Sequence, residues 1–186
     1  MTRDEIIETA AQVFRQKGYH GASMEDVALA VHLKKASLYH HFKSKQEILL
    51  EILDKALQLL LDRIAPIAEQ DHPADKKLRW MIREYLTILV DNTDLAGVLL
   101  FEHRALERRQ HARHIPNRDK FETLWKDVIH EGVQNKLFKC EDPGLAVRAL
   151  LGQMNWTITW FRPDGGKSIE QVADNYSDLL LSGLLR

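Results

Sequence analysis

The sequence predicts an all-α chain, and three observations predict it. Apolar residues recur at helical spacing along nearly every segment. Alternation of the strand type is almost absent. Clusters of Gly, Pro, Asp and Ser fall between the periodic stretches, where helices stop and start. Of 186 residues, 45% are hydrophobic and 28% charged, which supplies both a core and a solvated surface.

The elements follow in order. A first helix spans about Arg3–Lys17, with Ile6, Ile7, Ala10, Val13 and Phe14 on one stripe and Gly18 placed to end it. Ser23 opens a short second helix, with Asp26 three residues on in a partial capping-box pattern and Met24, Val27, Ala28 and Ala30 apolar. A short third helix, about Lys35–His41, carries Ala36, Leu38 and Tyr39. A long helix begins at Ser44 or Lys45 and continues to about Glu69, with Ile48, Leu49, Ile52, Leu53, Leu57, Leu60 and Leu61 on its apolar face. Further helices are expected at about Ala74–Val90, Thr93–Gln110, Pro116–Asn135, Pro143–Phe161 and Ser168–Leu185. There is no internal repeat and no low-complexity segment.

Composition excludes several classes of function. The formal net charge is −1, so any nucleic-acid binding must come from local charge. A single cysteine, Cys140, rules out an internal disulfide framework and suits a reducing compartment. The longest apolar stretch, Ile48–Ile67, is broken by Glu51, Asp54, Lys55, Asp62 and Arg63, so no membrane span is expected and the chain reads as cytoplasmic. No Gly-rich phosphate loop, nucleophile elbow or supported Cys/His pair appears, and neither an enzyme nor a cofactor is expected. His103, His111 and His114 lie close together, but the Arg-rich setting opposes a metal cation.

The segment Met24–Phe42 has the layout of a helix-turn-helix: a short helix with one apolar face, a turn of four residues, and a second helix with an exposed leading face. Between Val31 and Lys45 the charged residues are Lys34, Lys35, Lys43 and Lys45, with no Asp or Glu. A small basic face on a near-neutral chain is what phosphate contact requires. Taken singly, Lys34–Lys35 reads as solvated surface and Tyr39 as half-buried packing, while Phe14, Val27, Ala28, Leu38 and Phe42 read as core.

Residue types and spacings together are more specific. Phe14, Lys17-Gly18-Tyr19, Ser23-Met24-Glu25-Asp26-Val27-Ala28 and Ser37-Leu38-Tyr39-His40-His41-Phe42-Lys43-Ser44-Lys45 resemble the tetracycline-repressor (TetR) family over the first quarter of the chain. The resemblance implies that the second helix of the motif enters the major groove. It implies phosphate contacts from Tyr39 and Lys45, a backbone contact at Ser23, and groove-facing positions at Lys34, Lys35, Ala36, Ser37 and His40. Three departures stand out: His32 occupies a turn position where Gly is usual, Lys34 a cap position where Ser or Thr is usual, and Ala36 a common Gly position. His tolerates positive φ better than most residues, though less well than Gly.

The remainder resembles the ligand-binding and dimerisation region of the same family, and a subset regulating fatty-acid or steroid breakdown in response to acyl-CoA thioesters. That likeness rests on Phe101–Leu106, Arg118-Asp119, Trp125, Asp142-Pro143, Ala146, Leu151–Trp156 and Trp160–Gly165. The expected division is residues 1–45 for DNA binding and residues 46–186 for ligand binding and dimerisation. Met81, Tyr85, Phe101, Trp125, Met154, Trp156 and Trp160 are bulky enough to line an apolar pocket, or equally to fill a core. Arg104 and Arg162 are suited to a carboxylate or CoA phosphates, or to ion pairs with Glu102 and Asp164. Leu145, Ala149, Leu150, Gly152, Tyr176, Leu179, Leu180, Gly183 and Leu184 suit a four-helix homodimer interface through the last two helices, or burial inside one chain. The expectation is a homodimeric repressor of lipid or related catabolic genes, bound to a palindromic operator and released by an acyl-CoA or similar lipophilic effector. The alternatives are the same fold sensing a hydrophobic drug or free fatty acid, and a helical interaction protein without operator binding.

Overall fold

A computed structural model describes residues 2–185. Its helices are α1 (Arg3–Lys17), α2 (Met24–Ala30), α3 (Lys35–His41), α4 (Lys45–Ala68), α5 (Ala74–Asp91), α6 (Thr93–Phe101), α7 (Arg108–Gln134), α8 (Pro143–Trp160) and α9 (Ile169–Leu184), with one 3-10 turn at His103–Ala105. Among the described residues the one bridge of strand type is isolated and pairs Phe138 with Leu185. The all-α architecture is as expected.

The junction between α6 and α7 differs by more than a residue or two. The sequence places a helix over Thr93–Gln110 and another from Pro116, whereas α6 stops at Phe101 and α7 starts at Arg108 and runs through Pro116. Proline in a helix removes one hydrogen bond and crowds the carbonyl four residues back. Here Pro116 is exposed, as is Ala112, whose carbonyl is the one affected, so water can satisfy it. The break comes earlier because Gln46 of α4 satisfies the backbone on both sides: its Nε2 donates to Ala105 O at 2.7 Å, and its Oε1 accepts Glu107 N–H at 3.0 Å. A long-range side chain thus replaces the intrahelical partners lost at a helix end.

The chain forms two compact units that do not follow chain order. One comprises Met1–Gln58 and Asn92–Arg118, the other Leu59–Asp91 and Asp119–Arg186. In the first, α6 packs on α1 and α1 on α2. Its core holds Ile6, Ala10, Phe14, Val27, Leu38, Phe42, Ile48, Leu49, Ile52, Leu53 and Val98, all essentially inaccessible to solvent. Phe14, Val27, Ala28, Leu38 and Phe42 are therefore core, as their spacing predicts. In the second unit α5 packs on α9 and α8. Its interior includes Leu78, Met81, Ile82, Tyr85, Trp125, Ile129, Phe138, Val147 and Met154. Lys77, only 6% exposed, reaches Glu131 at 2.9 Å, and Arg83–Asp174 and Arg79–Asp178, each 2.7 Å, staple α5 to α9 at the surface.

The end of α7 is tightly specified. Leu137 and Phe138 both donate backbone N–H groups to Gly132 O, and the Phe138 ring lies over Gly132, where an added Cβ would sit 2.1 Å from it. Phe138 is fully buried, so the ring has little room to yield. Gly132→Ala gains about 1 kcal/mol of helix propensity but overpacks the contact at about 1–3 kcal/mol. Urea unfolding should show a net loss of stability for Gly132→Ala, and a larger one for Gly132→Val.

Candidate functional site

The first candidate surface is built by α2, the turn Val31–Lys34, and α3. Ser23 caps α2: its Oγ accepts the Asp26 backbone N–H at 3.1 Å, and Asp26 Oδ2 accepts the Ser23 backbone N–H at 2.8 Å. The capping box is complete, and caps of this kind stabilise by about 1 kcal/mol. Lys17, at the end of α1, pairs with the same carboxylate. The Lys17 hydrogen bond, then those from Ser23, hold the Asp26 carboxyl well below the usual carboxylate range.

The turn after α2 contains the strained position. His32 has φ 55°, in the left-handed region, where a side chain other than Gly costs energy. Leu33 N–H then returns to Ala28 O at 2.8 Å, closing the turn beneath buried Val31. Lys34 caps α3 without a side-chain hydrogen bond, since an ammonium has no acceptor to offer.

Leu38 and Phe42, 0% and 1% exposed, pin the inner face of α3. Lys34, Lys35, Ala36, Tyr39 and His40 are exposed and Ser37 is half-buried. Residues 35, 36, 39 and 40 share one helix face by spacing, so α3 presents cations, a phenol, an imidazole and a small residue together. Lys35 lies 3.6 Å from Glu25, with both side chains more than half exposed; such a pair is weak and exchangeable. Ser23 is exposed at the start of α2.

Lys45 is placed differently from its neighbours. Its ammonium donates to Tyr19 O at 2.7 Å and Ala22 O at 2.6 Å, and lies 4.3 Å from the Tyr19 ring centre. It fixes the loop that delivers Ser23, leaving one N–H of three for any other acceptor.

The residues selected for an effector divide between the two units. Met81, Tyr85, Trp125 and Met154 are buried in the second unit. There Tyr85 stacks on Phe121 at 5.8 Å and meets Trp125 edge-on at 5.9 Å. The Tyr85 hydroxyl donates to Asn155 Oδ1, and burial pushes its pKa above the ordinary tyrosine value. Trp125 is 0% exposed and its Nε1–H has no acceptor. Phe121 and Asn155 complete this group; neither was among the expected pocket residues, although Asn155 stands in the Leu151–Trp156 stretch and is, with Gln153, one of two amides in the apolar run of α8. Trp156 and Trp160 are 64% and 45% exposed and Arg162 is exposed. Phe101 and Arg104 belong to the first unit, where the Arg15 guanidinium lies 5.8 Å from the Phe101 ring centre.

The three histidines do not converge on a common site. His103 Nδ1 lies 3.2 Å from Leu99 O, and burial lowers its pKa. His114 is buried with Nδ1 3.3 Å from Asp54 Oδ1, and His111 is half-buried. Among the described residues no three His, Cys, Asp or Glu side chains converge as ligands for a metal, and no described helix is long and apolar enough to cross a membrane.

With this geometry, the family models decide the identity. Residues 6–52 match the model described as bacterial regulatory proteins, tetR family. Residues 71–184 match the tetracyclin repressor-like C-terminal domain. The chain belongs to the TetR family. It is similar to the HTH-type transcriptional repressor KstR2 of Mycolicibacterium smegmatis, 27% identical with 98% of this chain and 90% of that protein covered. It is also similar to the fatty acid metabolism regulator protein of Bacillus subtilis, 24% identical over 97% of this chain and 94% of that one. The solved structure of AibR in complex with isovaleryl coenzyme A and operator DNA superposes with a TM-score of 0.90 at 26% identity, covering 97% of this chain and 98% of AibR. This TetR-family chain is thus a DNA-binding transcriptional regulator that resembles the lipid-catabolism subset.

Two outcomes test the geometry of the motif. His32→Gly removes the left-handed penalty and should raise stability by about 0.5–1 kcal/mol after the entropy cost of Gly, whereas His32→Val should lower it; chemical unfolding of the full chain reads both. Asp26 has its pKa depressed from the ordinary 3.8 on folding, so its contribution is complete above that value and declines as pH falls toward the folded pKa. The gap in denaturation midpoint between wild type and Asp26→Asn should stay constant from pH 7 to about pH 5 and narrow steadily below about pH 4.

Proposed function

We propose that this protein is a homodimeric repressor that reads a palindromic operator with α3 and leaves it when an acyl-CoA or similarly lipophilic effector binds. The observation that carries the DNA reading is the outer face of α3, where Lys34, Lys35, Ala36, Tyr39 and His40 stand exposed above a pinned inner face. Lysine donates to guanine O6 and N7, Ala36 leaves room for a base edge, and Tyr39 is aimed outward for a phosphate. We assign Ser23 to a backbone contact and Lys45 chiefly to holding the loop that presents it.

The surface of the second unit supports the dimer. On α8, Leu145, Ala149, Gly152 and Trp156 form one exposed stripe, with Leu145 61% and Trp156 64% exposed. On α9, Leu179 is 66% exposed, and Gly183 has nothing within 4 Å of where a Cβ would stand. A stripe of large and small apolar residues on two adjacent elements suits helix-to-helix packing against a second copy. The dimer sets the spacing of the two α3 helices, which must match about 34–36 Å of DNA.

The effector reading rests on the buried aromatic group around Trp125. An indole N–H without an acceptor in an apolar interior costs about 1–3 kcal/mol, and an acyl carbonyl supplies the missing acceptor. The relatives named for fatty acid metabolism and found with isovaleryl coenzyme A support that chemistry. Release requires that the effector bind the DNA-incompetent conformer more tightly, and α4, which contributes to both units, is the element proposed to shift.

Three measurements check this. Gel shifts with DNA upstream of the protein's own gene should give a salt-dependent, sequence-selective complex, and Tyr39→Ala with Lys35→Ala should weaken it at least 10-fold; no selective shift would leave a helical interaction protein instead. Leu179→Arg should convert dimer to monomer by light scattering and abolish operator binding with α-helicity retained. Trp125→Phe should keep the fold and lose about 10-fold in affinity for an acyl-CoA; unchanged affinity would remove Trp125 from the effector site.

A further inference from the structure

The turn between α2 and α3 holds its strained residue facing outward. Val31 is buried and Leu33 packs against the same core, while His32 and Lys34 are exposed. His32 has φ 55°, and its N–H donates to Leu29 O at 3.1 Å. The turn imposes that left-handed conformation whatever the side chain, and at the end of α1 the chain meets a similar demand with Gly18 at φ 72°. The imidazole therefore adds strain without a return inside the chain: its ring has no hydrogen bond, ion pair or ring contact among the described residues. Strained residues of this kind gather at ligand contacts and switch segments. Lys136, the other non-glycine residue with positive φ, follows α7 and is no part of the motif. The charge around His32 suits an anion. Lys34 and Lys35 follow it, and no carboxylate occurs between Val31 and Lys45. On α2, Glu25 lies 3.6 Å from Lys35, and Asp26 is held by Lys17 of α1 and by Ser23. Tyr39, His40 and His41 are the remaining titratable groups of α3.

We propose that His32 contacts a backbone phosphate of the operator, its imidazole donating an N–H to a phosphate oxygen and taking up a proton from solvent as the DNA binds. The inference rests on the operator reading above and adds to it a residue that precedes the reading helix. His32 shares the outward side of the turn with Lys34, directly before the helix on which Lys35, Ala36, Tyr39 and His40 stand exposed. Two backbone bonds fix the turn, His32 N–H to Leu29 O and Leu33 N–H to Ala28 O at 2.8 Å. The ring is thus offered from a set position relative to α3. Contacts from set positions to phosphates fix register and orientation on the duplex without reading sequence. An imidazole changes charge between pH 5 and 8, and a phosphate beside it favours the charged form. Operator affinity therefore rises as pH falls through that range, because the bound state holds the extra proton.

The test uses the full-length protein, an operator duplex that it selects from a randomised library, and a duplex of unrelated sequence. Fluorescence anisotropy reads affinity at about pH 6 and pH 8 over a range of salt. His32→Gly relieves the backbone strain, so its unfolding midpoint should rise or hold while its operator binding weakens. The expected loss is at least about 5-fold at pH 6 and at most about 2-fold at pH 8. At pH 6 the salt slope should become shallower by about one per subunit. His40 and His41 are present in both proteins, so the difference between them isolates His32. His32→Asn accepts the left-handed backbone and keeps an uncharged donor; it should match wild type at pH 8 and lack the gain at pH 6. The loss in His32→Gly should have the same factor on operator and unrelated DNA. Binding by His32→Gly as tight as wild type at both pH values overturns the proposal. An equal loss at both pH values with an unchanged salt slope also overturns it, placing the cause in the turn's backbone. A loss confined to the operator does so too, making His32 a reader of bases. A wild type that selects no sequence fells the operator reading and this inference together, whereas selection by wild type with His32→Gly its equal fells this inference alone.

Discussion

The first turn of α4 holds the DNA-reading unit together through three consecutive side chains that reach three different segments. Lys45 gathers the carbonyls of Tyr19 and Ala22, and so fixes the loop into α2. Gln46 takes Ala105 O and Glu107 N–H, and so holds the break between α6 and α7. Glu47 pairs with Arg3, whose guanidinium also bonds Glu51 and His41 O and lies 4.1 Å from the Phe42 ring centre. Each bond is modest by itself, about 0.5–1.5 kcal/mol net. Together they make the orientation of α3 depend on one turn of one helix, because α1, the Tyr19–Ala22 loop and the α6–α7 junction all refer to it. The Ser23 cap and the buried Leu38 and Phe42 complete the placement from below.

How much of this the sequence carries depends on the range of the interaction. The helix-turn-helix was legible because its determinants are local: Ser23 and Asp26 are three residues apart, and Leu38 and Phe42 share a face. The consequence of His32 was legible for the same reason, since a turn of four residues leaves few backbone options, and φ 55° is the one that usually selects Gly. The boundary of α7 was not legible. Pro116 is a strong local stop signal, but the actual break is set by Gln46, some sixty residues away in the chain, and no periodicity reports such a contact. Lys45 makes the same point: its position matches a phosphate-binding pattern, while its two carbonyl partners come from a loop more than twenty residues earlier.

The second unit was legible as a set of apolar helices but not in the use of its large side chains. Met81, Tyr85, Trp125, Met154, Trp156 and Trp160 all read alike as bulky apolar residues at helical spacing. In the structure the first four are buried, while Trp156 and Trp160 face outward. Hydrophobicity records only that a residue prefers to leave water, and an interior, a pocket and an interface with a second copy all meet that preference. The distinguishing information is polar. The unpartnered Trp125 N–H and the Tyr85–Asn155 bond set this interior apart from a purely apolar one, in which Phe or Leu would carry no polar group to desolvate.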